Sequence, residues 1–150
     1  MEKSGKSIGV KRLHVALRRV PHWLLSVVCL GVILWLTLSP DPLGDTDMEW
    51  FEGADKVVHG LMFFGLTLCM LVDAKRWRDW RRMKLPLVGG ISIVGLLIGM
   101  VIEFVQPLCG RSFEFRDMGA DAFGAVVAGA LWVLMDGALT EEDKIEGKQN

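Results

Sequence analysis

The sequence predicts an all-α membrane protein, a polytopic bundle of four transmembrane helices with both termini in the cytoplasm. Of its 150 residues, 51% are hydrophobic, a larger share than in ordinary soluble domains. The charged residues lie in blocks that long apolar runs separate, which is typical of a protein that crosses a membrane several times. The net charge is −1, so nothing in the composition indicates a nucleic-acid partner.

Four apolar runs predict the four helices: residues 23–38, 57–72, 86–106 and 118–139. A helix needs about 20 residues to cross about 30 Å of hydrocarbon, so the last two runs suffice alone, whereas the first two need flanking residues. Backbone hydrogen bonds must be satisfied internally within lipid, and this requirement favours a helix for each run.

The chain divides into three parts on this basis. Residues 1–22 are a basic cytoplasmic segment in which Leu13 and Leu17 have helical spacing, as in a helix that lies in the membrane surface. Residues 23–139 form the four-span domain, and the polar residues 140–150 are predicted to be a disordered cytoplasmic tail. A cleaved signal peptide is the alternative for the first run, but no small-x-small cleavage site follows it, so a retained span is predicted.

The basic residues predict the orientation, because connections on the cytoplasmic side of a membrane are enriched in Lys and Arg. Basic residues are concentrated before the first run and between the second and third runs. The connection between the first and second runs has only Lys56, and the connection between the third and fourth has only Arg111 and Arg116. Both termini are therefore predicted to be cytoplasmic, and these two connections to be extracytoplasmic.

Polar residues that are unusual near a membrane converge at the predicted extracytoplasmic end. Asp55 and His59 are four residues apart and share a helix face, as Glu103 and Gln106 do at a spacing of three. Glu103 and Asp121 each lie about one turn below the surface, where an isolated carboxylate costs about 2.5 to 3.5 kcal/mol. We therefore expect each to be paired, protonated or in a wet cavity. The full set is Asp55, Lys56, His59, Glu103, Gln106, Arg111, Arg116, Asp117 and Asp121.

Some of these residues also have a simpler interpretation. Asp55 and Lys56 alone are typical of a solvated helix start, where an acidic residue interacts favourably with the helix dipole. His59 alone is typical of an interfacial histidine. Because these interpretations leave Glu103 and Asp121 unexplained as carboxylates in lipid, a shared pocket is the favoured interpretation.

Three stretches, "DKVVH" at 55–59, "EFVQ" at 103–106 and "GRSFEFRDMGADAFG" at 110–124, resemble the VanZ-like family of small bacterial membrane proteins. That family shows an Asp-Lys-x-x-His motif, a Glu-x-x-Gln step, a loop arginine and an Asp-x-x-x-Asn-x-x-Gly helix start. The resemblance extends from about residue 39 to about residue 129. By this resemblance, the motif positions of the family correspond to Asp55, Lys56, His59, Glu103, Gln106, Arg111, Asp117 and Gly124.

One position departs from the family pattern, because Asp121 stands where asparagine is usual. If that asparagine orients a partner through its amide, an ionised Asp121 can replace it as a hydrogen-bond acceptor but not as a donor. The resemblance implies a multi-pass protein of the bacterial cytoplasmic membrane and the cell envelope. The namesake of the family is associated with low-level resistance to the glycopeptide teicoplanin, and no settled biochemical activity accompanies the resemblance.

A binding role is the first functional hypothesis. An outward-facing pocket would bind an anionic lipid or a lipid-linked cell-wall component in an accessory role, with Lys56 and Arg111 contacting the anion. Gln106, Asp117 and Asp121 belong to the same candidate ligand site, and Arg111 is also the expected partner of a buried carboxylate. No nucleic-acid partner is expected, whereas a homo-oligomer is compatible with the sequence.

An intramembrane enzyme is the alternative, a hydrolase or transferase that acts on a lipid-linked phosphate. His59 would be the general acid or base, oriented by Asp55, and Glu103 is the third catalytic candidate. His59 with Glu103 or Asp121 could also ligate a divalent cation, although the sequence assigns no metal and no cofactor. A third hypothesis gives these polar residues a structural role only, as contacts that hold the helices together.

Overall fold

The computed structural model describes residues 21–39, 53–78 and 85–146. Within these ranges the chain is helical apart from short connecting segments and contains no β-strand, which confirms the all-α class. The predicted interfacial helix before residue 21 and residues 147–150 of the predicted tail lie outside the described residues. The helices are α1 (Leu24–Leu38), α2 (Ala54–Arg78), α3 (Leu85–Val105), a 3-10 helix (Gln106–Cys109) and α4 (Phe115–Glu146).

Three helices within the described ranges are long and apolar enough to cross a membrane. They are Ala54–Trp77, Leu85–Cys109 and Phe115–Gly137, with 24, 25 and 23 residues. α1 is also apolar, but its 15 residues give a length of about 22 Å, which is shorter than the hydrocarbon core of about 30 Å. Length and composition therefore support three of the four predicted spans.

Two helices extend beyond the apolar runs that predicted them. α2 begins at Ala54 rather than at residue 57, so Asp55 lies in its first turn, where a negative charge interacts favourably with the helix dipole. α4 continues to Glu146, and residues 140–146, predicted as part of a disordered tail, are helical. Glu and Lys, which supply four of these seven residues, are good helix formers.

Apolar side chains form both the inner core and the outer surface of the bundle. Ile33 of α1, Phe63 and Leu66 of α2 and Ile102 of α3 form one buried cluster. Large apolar side chains on every helix are exposed on the outside, which marks a surface that contacts lipid rather than water. Among the residues that the structure describes, the buried polar side chains are Thr37, His59, Thr67, Asp73, Ser92, Glu103, Gln106, Asp117, Asp121 and Asp136.

Glycines allow the three long helices to approach closely near one end of the bundle. A Cβ atom at Gly124 of α4 would overlap the backbone carbonyl of Gly60 on α2. A Cβ atom at Gly99 of α3 would lie 2.9 Å from the Asp121 side chain. Small residues at such positions let membrane helices pack with their backbones in contact. This packing places Asp121, three residues before Gly124, directly beside α2 and α3.

We expect Gly124→Ala to lower the thermal unfolding midpoint of the purified protein, because the added methyl group must push α2 and α4 apart. Overpacking of this kind typically costs about 1 to 3 kcal/mol. Gly119→Ala on the same helix is the control, since a Cβ atom there meets nothing within 4 Å and alanine favours the helix. Equal midpoints for the two variants would contradict the backbone contact between α2 and α4.

Candidate functional site

Polar residues from three helices meet at the end of the bundle where α2 and α4 begin and α3 ends. Within the described residues, His59, Glu103 and Asp121 are only 4%, 0% and 1% exposed. The group is called the polar cluster below. It consists of Asp55, Lys56, His59, Glu103, Gln106, Glu114, Asp117 and Asp121.

His59 lies at the centre of the polar cluster, with carboxylates on both sides of its ring. Its Nδ1 atom is 3.1 Å from Asp121 Oδ1 and 3.9 Å from Glu103 Oε1. Its Nε2 atom is 3.9 Å from Asp55 Oδ1 and 4.0 Å from Asp117 Oδ2. The predicted shared face of Asp55 and His59 is therefore present, but the hydrogen bond of the imidazole is to Asp121 of α4.

Lys56 joins the first turn of α2 to the start of α4. Its Nζ atom lies 2.6 Å from Glu114 Oε2, 2.7 Å from Asp117 Oδ1 and 3.2 Å from Asp55 Oδ2. The lysine side chain is 29% exposed and that of Glu114 is 45% exposed, so solvent reaches this part of the cluster. The positive charge of Lys56 is thus already compensated by three carboxylates.

Glu103 accepts hydrogen bonds from two directions at the end of α3. The backbone N–H of Glu114 donates to Glu103 Oε2 at 3.3 Å. With its amide nitrogen turned toward Glu103, Gln106 donates to both carboxylate oxygens, at 3.2 and 3.1 Å. The opposite orientation leaves that nitrogen only a 3.5 Å contact with the Thr37 carbonyl, so the hydrogen-bonding network favours the first orientation.

Arg111 does not lie in the polar cluster. Its Nη1 donates to the backbone carbonyl of Ser39 at 3.2 Å. Among the described residues it forms no ion pair with Glu103 or Asp121, so the prediction that it pairs with one of them is wrong. Gly110, with φ of 81°, turns the chain here. The arginine is directed to the end of α1, where helix carbonyls lack partners within the helix.

Glu114 is a member of the polar cluster that the sequence interpretation missed. It lies in the connection before α4, and its two roles are the ion pair with Lys56 and the N–H donated to Glu103. Its position three residues before Asp117 could have indicated its membership, because residues three apart share a helix face and the family pattern includes Asp117. That signal is weak, because residues 111–114 are not helical.

The electrostatic balance of the polar cluster is acidic. Within the described residues it contains one lysine and one histidine against a larger number of carboxylates. Two sets of side chains bring their ligand atoms within 4.8 Å of one another, close enough to hold a metal ion. One set is Asp55, His59 and Asp117, and the other is His59, Glu103 and Asp121. The carboxylates of the cluster are Asp55, Glu103, Glu114, Asp117 and Asp121.

An apolar groove begins beside the polar cluster and lies between α2 and α4. Its volume is about 430 Å³. Of the described residues that line it, Lys56 alone is charged. The groove therefore combines a hydrocarbon-like wall with one cationic end. Its lining residues are Lys56, Val57, Gly60, Leu61, Phe64, Ala120, Phe123, Gly124 and Val127.

Hydrogen bonds and an ion pair at the opposite end of the bundle join α2 to its neighbours. Asp73 of α2 accepts hydrogen bonds from the backbone N–H and the hydroxyl of Ser26, at 2.9 and 2.8 Å. Lys75 lies 3.1 Å from Asp136 of α4 and 5.5 Å from the ring centre of Trp132. These contacts tie α1 and α4 to α2, so their evident role is structural.

Comparison with known families identifies the chain. The family model described as VanZ/LLP1 matches residues 23–136, a range that contains the whole polar cluster, all of α1, α2 and α3, and α4 as far as residue 136. No curated protein and no solved structure was found to match. The matched range covers most of the chain and agrees with the resemblance of the quoted motifs. The chain therefore belongs to the VanZ/LLP1 family.

Proposed function

We propose that this protein is a lipid-binding accessory protein of the bacterial cell envelope. In this proposal the groove between α2 and α4 holds a hydrocarbon chain, and the polar cluster receives a head group that carries a phosphate. The main observation that supports this function is the groove itself, whose apolar walls end at Lys56. An anionic membrane lipid and a lipid-linked cell-wall component share this chemistry. Binding of the latter would account for an effect on glycopeptide resistance.

The proposal includes four spans in the cytoplasmic membrane with both termini inside. The distribution of Lys and Arg supports this orientation, and the packing of Ile33 of α1 against α2 and α3 supports a span for α1. A short span is accommodated by local thinning of the bilayer. In a variant whose three native cysteines are replaced by alanine, a cysteine introduced at the exposed Ser112 should react with a membrane-impermeant maleimide on intact cells. Reaction only after permeabilisation would contradict the orientation.

The charges near Lys56 indicate how a phosphate would bind. The Asp117 side chain is 8% exposed, whereas that of Glu114 is 45% exposed. The phosphate would therefore displace the Glu114 carboxylate, while Asp117 keeps the lysine in position. A lysine ammonium is a compact charge that suits a phosphate oxygen. Arg111, which contacts Ser39, would reach the head group only by leaving that carbonyl.

Native mass spectrometry of the purified protein with three lipids tests the proposal. The probes are phosphatidylglycerol, a polyprenyl phosphate and diacylglycerol, which lacks the phosphate. We expect at least one phosphate-bearing lipid to bind about 10 to 100 times more tightly than diacylglycerol, since a hydrogen bond to a charged group contributes about 1.5 to 3 kcal/mol. Equal binding of all three lipids would contradict the proposal. Preference between the two phosphate lipids separates a membrane lipid from a lipid-linked precursor.

Two matched pairs of variants locate the binding site. Val127→Trp fills the groove, whereas Leu134→Trp places the same ring on the exposed surface of the same helix outside the groove. Lys56→Gln removes the proposed phosphate contact, whereas Lys75→Gln removes the ion-paired lysine at the other end. We expect only the first member of each pair to weaken binding. Unchanged affinity in Val127→Trp would place the lipid elsewhere.

A phosphohydrolase or phosphotransferase acting on the same lipid is the second candidate. The observation in its favour is the buried imidazole of His59, which Asp121 holds at Nδ1 while Nε2 faces Asp55 and Asp117. Such a carboxylate-oriented imidazole is suited to general acid–base catalysis. Analysis of the recovered lipid distinguishes the two functions, because an enzyme releases or transfers the phosphate and a binding protein returns the lipid intact.

A further inference from the structure

One imidazole and two carboxylates meet inside the bundle, each on a different long helix. His59 belongs to α2, Glu103 to α3 and Asp121 to α4, and all three are buried. Each offers one ligand atom, and these atoms lie within 4.8 Å of one another. Two ionised carboxylates so close together in a region shielded from solvent repel each other unless one takes up a proton or a positive charge lies between them. A bound cation would remove this repulsion while both groups stay ionised.

An unpartnered carboxylate oxygen provides a second, independent observation. Asp121 Oδ2 is buried and has no hydrogen-bond partner among the described residues, although Asp121 Oδ1 pairs with His59. A buried polar atom without a partner is costly and normally has a ligand or water. The absence of a side chain at Gly99 leaves room for this carboxylate, because a Cβ atom there would lie 2.9 Å from Oδ2.

The distances also suit a metal ion. Ligand atoms about 2.0 to 2.1 Å from a tetrahedral ion are about 3.3 Å apart. His59 Nδ1 is 3.1 Å from Asp121 Oδ1 and 3.9 Å from Glu103 Oε1, values on either side of that separation. The other ring nitrogen, Nε2, faces Asp55 and Asp117. Carboxylates in that position orient metal-binding histidines and set their tautomer.

We propose that His59, through Nδ1, and the carboxylates of Glu103 and Asp121 bind one divalent transition-metal ion. A mixed nitrogen and oxygen ligand set suits Zn²⁺ or Mn²⁺ better than Mg²⁺ or Ca²⁺, which prefer oxygen alone. The ion would balance the buried carboxylates and link the three long helices. The site goes beyond the proposed lipid binding and is independent of it, because none of its three ligands lines the groove.

Metal analysis of tag-free protein tests the site. The protein is purified in detergent, treated with a chelator, desalted and titrated with Zn²⁺ or Mn²⁺ in competition with a chromophoric chelator. We expect one ion per chain. His59→Gln and Asp121→Asn should each weaken binding by at least about 100-fold, since loss of even an outer partner of a metal ligand costs about 10- to 100-fold. Asp136→Asn, which alters a buried carboxylate at the other end, should bind as tightly as the wild type.

Spectroscopy and folding controls distinguish loss of the metal site from loss of the folded protein. Asp121→Asn introduces the residue that the family pattern usually has, so this variant is expected to retain the helical circular dichroism and monodisperse elution of the wild type. Mn²⁺ bound to the wild type should show ¹⁴N coupling in pulsed electron paramagnetic resonance, and His59→Gln should remove it. The proposal is overturned if binding is substoichiometric, if folded Asp121→Asn binds as tightly as the wild type, or if no nitrogen coupling is seen.

Discussion

Glu103→Ala should be the most destabilising single substitution in the polar cluster. The carboxylate is completely buried and accepts hydrogen bonds from the backbone N–H of Glu114 and from the Gln106 amide. Truncation leaves these two donors without a partner, which costs about 1 to 3 kcal/mol for each buried group, and it also opens a cavity. We expect a large fall in the thermal unfolding midpoint and in the yield of monodisperse protein.

Val101→Ala is the matched control for Glu103→Ala. Val101 lies on the same helix, two residues earlier, but is exposed on the outer surface, so its truncation should change the midpoint little. Glu103→Gln should give an intermediate midpoint, because the amide keeps one oxygen as an acceptor. A midpoint for Glu103→Ala equal to that of Val101→Ala would show that the carboxylate does not hold α3 to the start of α4.

Lys56→Glu should have the second large effect, because it places a further negative charge among Asp55, Glu114 and Asp117. The wild-type lysine lies 2.7 Å from Asp117 Oδ1 and 2.6 Å from Glu114 Oε2. Reversal of its charge turns these attractions into repulsions within a partly buried cluster, where carboxylates left without a cation are costly. We expect most of the protein to be lost from the monodisperse peak in size-exclusion chromatography.

Two further variants test this explanation. Arg116→Glu makes the same change in net charge at an exposed position of α4, and we expect it to leave the elution profile unchanged. The double variant Lys56→Glu with Asp117→Lys exchanges the partners of the ion pair and should recover part of the monodisperse protein, because neighbouring sites are energetically coupled. Failure of the exchange, together with a similar loss in Arg116→Glu, would contradict a specific role for the pair.

The helices were predictable because their signals are local. Residues 86–106 predicted α3 almost to its observed end at Val105, since a long apolar run in lipid has a single favourable backbone conformation. The boundaries of α2 and α4 were less accurate, because charged residues such as Asp55 extend a helix beyond its apolar part. α1 is the shortest of the four helices, in line with the short apolar run that predicted it.

The grouping of the polar residues was also predictable, although their pairing was not. Successive helices alternate in direction, which places the start of α2, the end of α3 and the start of α4 at one end. The spacing of four residues predicted that Asp55 and His59 share a helix face. The partner of His59 on α4 could not be derived in this way, since it depends on the rotation of each helix about its axis. Gly60 and Gly124 set that rotation for α2 and α4 through their close contact.

By itself, the sequence determined that the chain is all-α, where its apolar helices lie and at which end of the bundle the polar cluster forms. Hydropathy and residue spacing are properties of short segments, so they require no knowledge of contacts. Only the tertiary structure decided that Lys56 pairs with Glu114 and Asp117 and that Arg111 contacts Ser39. These contacts join residues distant in sequence, and the packing of the helices and the turn at Gly110 select them.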